Sequence, residues 1–285
     1  MLRSDDVLRT PGIDVSRWQG EIDWERVAAA GYSFVVMRAT IGNYYTDPRF
    51  YINWRDARDV GLLLSAYHVV VPHRPADSQI ERFFEVLDGR RCDMPPVLDV
   101  EVSRGRRRED VTARVAECAA AMEDQDGRKP IIYTARWFWD RYVLDSVPTA
   151  DFDLWVAHYG VSRPALPRGW EEWRFWQYSD HGRVPGIRRV TDLNWFHGSY
   201  EDLLAYVDGE PAETEPPAVG LQARVTVETL AVRAGPGLNY EHVGDLREGA
   251  LVDVVSLAGD DVWIQIAPEQ WVPFMSRDEQ HMELE

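Results

Sequence analysis

The sequence predicts an irregular (β/α)8 barrel followed by a smaller all-β barrel, and three features of the chain carry that reading. Between residue 12 and about residue 208, eight strand-like segments alternate with helix-like ones, as parallel strands joined by helical crossovers do. No glycine-rich phosphate loop follows the first strand, which weighs against an open doubly wound sheet. Past a proline-rich break, the chain changes to short alternating strands parted by Gly, Pro, Asn and Asp.

Taken in order, residues 12–18 and 33–40 read as strands, and residues 22–30 between them carry apolar positions at helical spacing. A helix at 50–60 precedes a strand at 62–71, and a helix at 76–87 precedes a strand at 96–102. The long helix 108–123 leads to a strand at 130–135. Strands at 154–159, 173–178 and 189–195 and a helix at 200–207 complete a first domain set at residues 1–208. Little helix separates the strands beginning at Leu154 and Trp173, which makes the barrel irregular. Residues 209–220 hold Pro211, Pro216 and Pro217 among like charges, and read as an extended linker. Strands at 224–232, 242–246, 251–258, 262–266 and 270–274 fill a second domain at 221–276, leaving 277–285 as a tail.

Composition narrows the function. The chain has 285 residues with 31 basic and 48 acidic side chains, a net charge of −17. Its 45% hydrophobic and 12% aromatic content supports a buried core and exceeds what a disordered chain carries. The longest apolar runs, such as Phe34-Val35-Val36-Met37, stop far short of the roughly 18 residues of a membrane span. Nucleic-acid binding usually needs a basic face, so neither membrane insertion nor a nucleic-acid partner is expected. Residues 211–285 hold 4 basic and 14 acidic side chains, a net of −10, so no basic patch is expected there either. The N-terminus has no apolar h-region, and no classical secretion signal is expected. Cys92 and Cys118 are the only cysteines, too few for a disulfide framework or a cysteine zinc cluster. Both are expected as reduced packing residues of a chain made in the cytoplasm.

In such a barrel the active site lies at the C-terminal ends of the strands. Three strands place carboxylates near their ends: Asp14 in Gly12-Ile13-Asp14-Val15-Ser16, Asp99 and Glu101 in Leu98-Asp99-Val100-Glu101, and Asp192 in Thr191-Asp192-Leu193-Asn194. Alternation points Asp99 and Glu101 to one face. Crowded carboxylates do not all ionise cheaply, so at least one should keep a proton near neutral pH. A carboxylic acid beside carboxylates is the equipment for cleaving a glycosidic bond through an oxocarbenium-like transition state. Pairing with strand arginines such as Arg38, or a divalent metal site, are the alternatives. Aromatics near strand ends, Tyr67, Tyr133, Trp137, Trp155, Tyr159, Trp176 and Tyr178, would suit the faces of sugar rings.

At these residues the chain resembles a known family, the glycoside hydrolase family 25 lysozymes. The resemblance runs through Gly12-Ile13-Asp14-Val15-Ser16, Arg38-Ala39-Thr40, Ala66-Tyr67-His68, Leu98-Asp99-Val100-Glu101 and Ile132-Tyr133-Thr134. It continues through Leu154-Trp155-Val156-Ala157-His158-Tyr159, Phe175-Trp176-Gln177-Tyr178-Ser179 and Val184-Pro185-Gly186-Ile187 to Asp192-Leu193-Asn194, covering about residues 11–207. It implies a TIM-like barrel that hydrolyses the β-1,4 bond between N-acetylmuramic acid and N-acetylglucosamine, without metal or cofactor. By the resemblance, Glu101 is the general acid, and Asp99 orients the substrate's 2-acetamido group, an internal nucleophile. Asp14 and Asp192 complete the acidic floor, while Tyr67, Tyr133, Trp155, Tyr159, Gln177 and Arg38 contact substrate. Ile41 departs from the acidic residue expected after Arg-Ala-Thr.

The second domain resembles bacterial SH3-type cell-wall modules through Leu230-Ala231-Val232-Arg233-Ala234-Gly235-Pro236-Gly237-Leu238-Asn239-Tyr240, Trp263-Ile264-Gln265-Ile266 and Trp271-Val272. Gln270 stands where such modules commonly have Gly. Together the resemblances imply a phage-endolysin-like muramidase whose partner is bacterial peptidoglycan; the missing secretion signal fits arrival at the wall after holin-type release, lysis or injection, among which the sequence does not choose. The competing expectations are a catalytically weak wall-glycan binder and another hexosaminidase such as a chitinase.

Overall fold

A computed structural model describes residues 8–208, 222–234, 241–253, 256–258, 263–267, 270–273, 275–276, 279–280 and 282–284. The expected linker and the 235–240 part of the SH3-type motif lie outside the described residues. The chain divides into two compact units, Met1–Pro211 and Ala212–Glu285.

The first unit is a closed ring of eight strands in the order β1 (Arg9–Val15), β9 (Thr191–His197), β8 (Phe175–Gly182), β7 (Leu154–Ala157), β6 (Ile131–Ala135), β5 (Val97–Asp99), β4 (Leu63–Val69) and β2 (Phe34–Ile41), which pairs again with β1. A short β3 (Tyr45–Thr46) hangs antiparallel on β2. Alternation along the strands divides the core in two. Phe34, Val36, Val97, Ile131, Trp155, Phe175 and Phe196 fill the inside. Ile13, Val35, Leu64, Leu98 and Ile132 face outward against a layer containing Val27, Phe50, Phe83, Val115 and Met122. These belong to α1 (Trp24–Ala29), α2 (Phe50–Asp59), α3 (Ala76–Leu87) and α4 (Arg108–Asp126). The helices α5 (Arg136–Tyr142) and α6 (Tyr200–Asp208) follow β6 and β9. The sequence reading lacked α5, because the aromatic run Trp137-Phe138-Trp139 hides a helical period.

Three details depart from a regular (β/α)8 barrel. Strand β9 is antiparallel to both neighbours, since the 183–190 connection is shorter than the dozen or so residues a parallel crossover needs. No helix spans residues 158–174; instead Leu166, Trp170 and Trp173 cover Leu154, Val156 and Trp176 on the outer face. Trp176 and Tyr178 therefore face away from the mouth, with Tyr178 stacked on Trp195 at 5.0 Å, contrary to their expected place among groove aromatics. Finally, β5 ends at Asp99, so Glu101 stands on the following loop, not on the strand.

Close packing at the ring's seam makes a simple demand on Gly12. A Cβ there would lie 2.3 Å from the ring of Phe34, which is fully buried. Gly12→Ala is expected to lower stability by about 1–3 kcal/mol through overpacking. A urea midpoint unchanged from wild type would contradict that packing.

The second unit is all-β, and every described strand pairing in it is antiparallel. Its small core gathers Ala223, Val225, Leu230, Val232 and Val272. Within the segment expected as a tail, Met282–Leu284 pairs with Gln222–Val225, placing Leu284 opposite Ala223.

Candidate active site

At the C-terminal mouth of the parallel strands, Asp14, Tyr67, Asp99, Glu101, Tyr133, Trp155, Tyr159, Gln177 and Asp192 line a cavity of about 220 Å³. Asp14 and Asp99 arrive by the same logic: their strand neighbours are apolar and face the helices, leaving the carboxylate inward. Ile13 and Val15 flank Asp14 in this way, as Leu98 and Val100 flank Asp99. The reversed β9 brings Asp192 to the mouth from its own N-terminal end, in register with Asp14.

Two buried amides fix the protonation of the floor. Gln177 Nε2 and Asn194 Nδ2 each donate to Asp14 Oδ2 at 2.8 Å. Their orientations are set from behind, because an amide oxygen can only accept. Tyr133 and Tyr159 hydroxyls donate to Gln177 Oε1 at 2.8 and 2.6 Å, and the Trp155 indole donates to Asn194 Oδ1 at 2.8 Å. Two amide donors thus favour the charged form of Asp14, and its charge beside Asp192 favours a proton on Asp192. Burial, then the Asp14 charge, pushes Asp192 up to about 8. Burial also raises Asp14, opposed by hydrogen bonds from Asn194 and Gln177.

Asp99 is 5% exposed and holds well above the ordinary carboxylate range through burial, then through Glu101 and Asp14. Its Oδ1 is buried without a hydrogen-bond partner. Glu101 reaches solvent at the lip, yet the walls strip enough hydration, with Asp14 adding repulsion, to raise its pKa. Two carboxyls with raised pKa thus stand close together, and the buried one, Asp99, has an oxygen without a partner.

Of the expected site residues, Arg38 is the one that does not line the cavity. Its guanidinium grips the buried Asp47 at 2.8 Å, and Asp47 also accepts the backbone N–H groups of Arg17 and Arg49. Arg38 therefore braces the β2–β3 corner, and it pairs with none of the four acids. Asn194 was missed as a site residue, although its spacing of two from Asp192 placed it on the same face. Among the described residues, no His, Cys, Asp or Glu group is arranged to hold a metal. A larger cavity of about 520 Å³ opens at the opposite, N-terminal end of the strands beside Lys129, Asp151 and Arg174. Its Lys129 and Arg174 are paired with Asp151 and Asp153, so it lacks the crowding of like charges that perturbs the mouth.

The Asp14–Asp192 pair has a measurable consequence. A carboxyl whose folded pKa lies above its unfolded value favours the fold at low pH. That contribution is lost as pH rises from about 4 towards 8. Asp192→Asn, which keeps the neutral form, should flatten that decline, and denaturation midpoints at pH 5 and 9 measure it. An unchanged slope would place the proton elsewhere.

Comparison with known proteins agrees with this geometry. The sequence model of Glycosyl hydrolases family 25 matches residues 13–187. The chain belongs to that family. This family 25 enzyme is 35% identical over 211 residues to Lysozyme M1 of Streptomyces globisporus, covering 70% of this chain and 72% of that protein. It is 39% identical over 203 residues to the uncharacterized protein YegX of Escherichia coli K12, covering 70% and 73% of the two chains. Among solved structures, the bacterial lysozyme from Streptomyces coelicolor superposes with a TM-score of 0.66 at 33% identity. That match covers 72% of this chain and 100% of the other. As a member of family 25 the chain is a glycoside hydrolase, and the ring of eight strands is that family's barrel.

Proposed function

We propose that this family 25 enzyme is a peptidoglycan N-acetylmuramidase that cleaves the β-1,4 bond from N-acetylmuramic acid to N-acetylglucosamine. The observation that carries the residue roles is the unpartnered Oδ1 of Asp99. A buried carboxylate oxygen without a donor is costly, and a substrate 2-acetamido N–H pointing at it supplies that donor. Glu101, its pKa raised, gives its proton to the leaving glycosidic oxygen. The acetamido carbonyl oxygen bonds to the anomeric carbon as the glycosidic bond breaks, and Asp99 accepts the N–H as positive charge develops. Glu101, now a carboxylate, takes a proton from the water that opens the ring intermediate. Raised pKa values at Asp14 and Asp192 limit the negative charge those two add to the floor, and Tyr67, Tyr133, Trp155, Tyr159 and Gln177 shape the wall.

Digestion of purified peptidoglycan, followed by reduction and mass spectrometry, tests this. Fragments ending in reduced N-acetylmuramic acid are expected. Reduced N-acetylglucosamine ends, or equal hydrolysis of plain chitin oligomers, would make it a different hexosaminidase. An absence of fragments from several wall types would leave a glycan-binding protein.

We also propose that residues 221–276 form an SH3-type module that holds the wall and raises the local substrate concentration for the tethered barrel. The antiparallel strands and small core around Val232 and Val272 support it. Sedimentation of the isolated barrel and the full chain with cell walls tests that role. The buried thiols of Cys92 and Cys118, both pushed up to about 12 by burial, support synthesis in a reducing compartment. An endolysin-like, bacteriolytic use then follows release or injection towards the wall.

A further inference from the structure

The loop that carries Glu101 continues into a tight turn rich in arginine. Arg106 N–H donates to Ser103 O at 2.9 Å, closing a four-residue turn with Arg104 and Gly105 at its centre. Both central residues are left-handed, with φ of 49° at Arg104 and 72° at Gly105. Glycine takes that conformation freely, whereas a long side chain there costs on the order of 1 kcal/mol. Among the described residues, Asp88 is the other non-glycine residue with positive φ, and it ends a helix. Arg104 has no such local reason.

Further along the loop, Arg107 faces Asp110 at 3.8 Å, and Arg108 donates to Val143 O at 3.2 Å. Arg104 and Arg106 are exposed, and within the described structure neither guanidinium has a hydrogen-bond or ion-pair partner. Two unpaired cations thus stand three and five residues beyond Glu101, on the loop that leaves a mouth lined by four carboxyl groups, in a chain of net charge −17. An acidic floor repels an anionic substrate. A cationic lip counters that repulsion only for an anion that stays outside the cavity while the sugar bond enters it.

We propose that Arg104 and Arg106 bind the carboxylates of the peptide stem carried by the muramic acid residue being cleaved. The inference rests on the muramidase reading. Three residues of extended chain span at most about 11 Å, so Arg104 is anchored within that distance of Glu101. An anion reached from there hangs from a sugar at or near the scissile bond, and the stem on the lactyl group of the muramic acid residue is such an anion. Phosphodiesters of other wall polymers attach without that positional constraint. Guanidinium is suited to the site because its planar fork matches a carboxylate with two parallel hydrogen bonds.

The test is the double variant Arg104→Gly with Arg106→Gln, which keeps the left-handed turn, removes both charges and should fold at least as well as wild type. On intact peptidoglycan at low salt, kcat/KM is expected to fall roughly three- to tenfold. The loss should sit in KM, with kcat unchanged, and fade as salt rises. On peptidoglycan whose stem carboxylates have been converted to amides, variant and wild type should be equal. Equal rates on intact walls, or an undiminished loss on amidated walls, would overturn the proposal. So would a loss that disappears only when phosphate polymers are stripped from the wall, which would assign the arginines to a phosphodiester. A wild-type enzyme inactive on every substrate would overturn the muramidase reading instead.

Discussion

Glu101→Gln is expected to lower kcat on peptidoglycan by about 10²- to 10⁴-fold, the usual worth of a positioned general acid. Gln keeps the shape and the hydrogen-bonding capacity of a protonated Glu but cannot release a proton. Glu101 sits exposed on a loop, where its side chain has no hydrogen-bond partner within the described structure. Its replacement should therefore leave circular dichroism unchanged, with an unfolding midpoint at neutral pH no lower than wild type, since a charge repelled by Asp14 and Asp99 is removed. The wild-type rate should also fall on the alkaline side, as Glu101 loses the proton that its surroundings hold above the usual carboxyl range. Reducing-end release measured against pH for both proteins checks the pair of expectations. A variant with wild-type rates would move the acid role to another carboxyl.

Asp99→Asn should move activity and stability in opposite directions. Activity is expected to fall by about 10²- to 10³-fold, because the charge that meets the developing cation is gone. Stability should rise at neutral pH, because the neutral amide removes a buried negative charge that stands beside Glu101 and Asp14. The sign follows from the raised pKa. The folded protein carries the cost of ionising Asp99 as pH climbs above the unfolded value of 3.8, so the gain should vanish in acid. Urea unfolding at pH 3.5 and pH 7.5 alongside turnover tests both halves. Loss of stability with loss of activity would mean that Asp99 supports the fold rather than the substrate.

The ordered strand motifs made much of this site legible in the sequence. A carboxylate among apolar neighbours on a strand has little reason to be there structurally, and four such residues met at one cavity. Direction was harder to read, because period-two alternation looks the same from either end. The shortness of the 183–190 connection was the available sign that β9 turns back. The outward Trp176 and Tyr178 escaped for a related reason: on β7 to β9 a loop replaces the helix layer, so both faces of the sheet are apolar. The pairing of Arg38 with Asp47, nine residues on, crosses a corner that strand patterning does not describe. The two arginines of the turn after Glu101 belong to no motif, and their significance lies in a backbone angle that composition cannot reveal.

The seam between the first and last strands has a consequence for how the enzyme comes to life. Asp14 and Asp192 are register partners contributed by opposite ends of the barrel sequence, and Arg9 lies beside His197. A chain still emerging from the ribosome, or cut short before β9, therefore has no dyad and no closed mouth. Hydrolytic activity is withheld until translation of the barrel is complete. The late contact is also the most non-local of the described strand pairings, so ring closure should limit the folding rate. A circular permutant that joins the end of β9 to the start of β1 through a short turn, with new termini elsewhere, would make that contact local. It should fold faster while leaving the mouth unaltered.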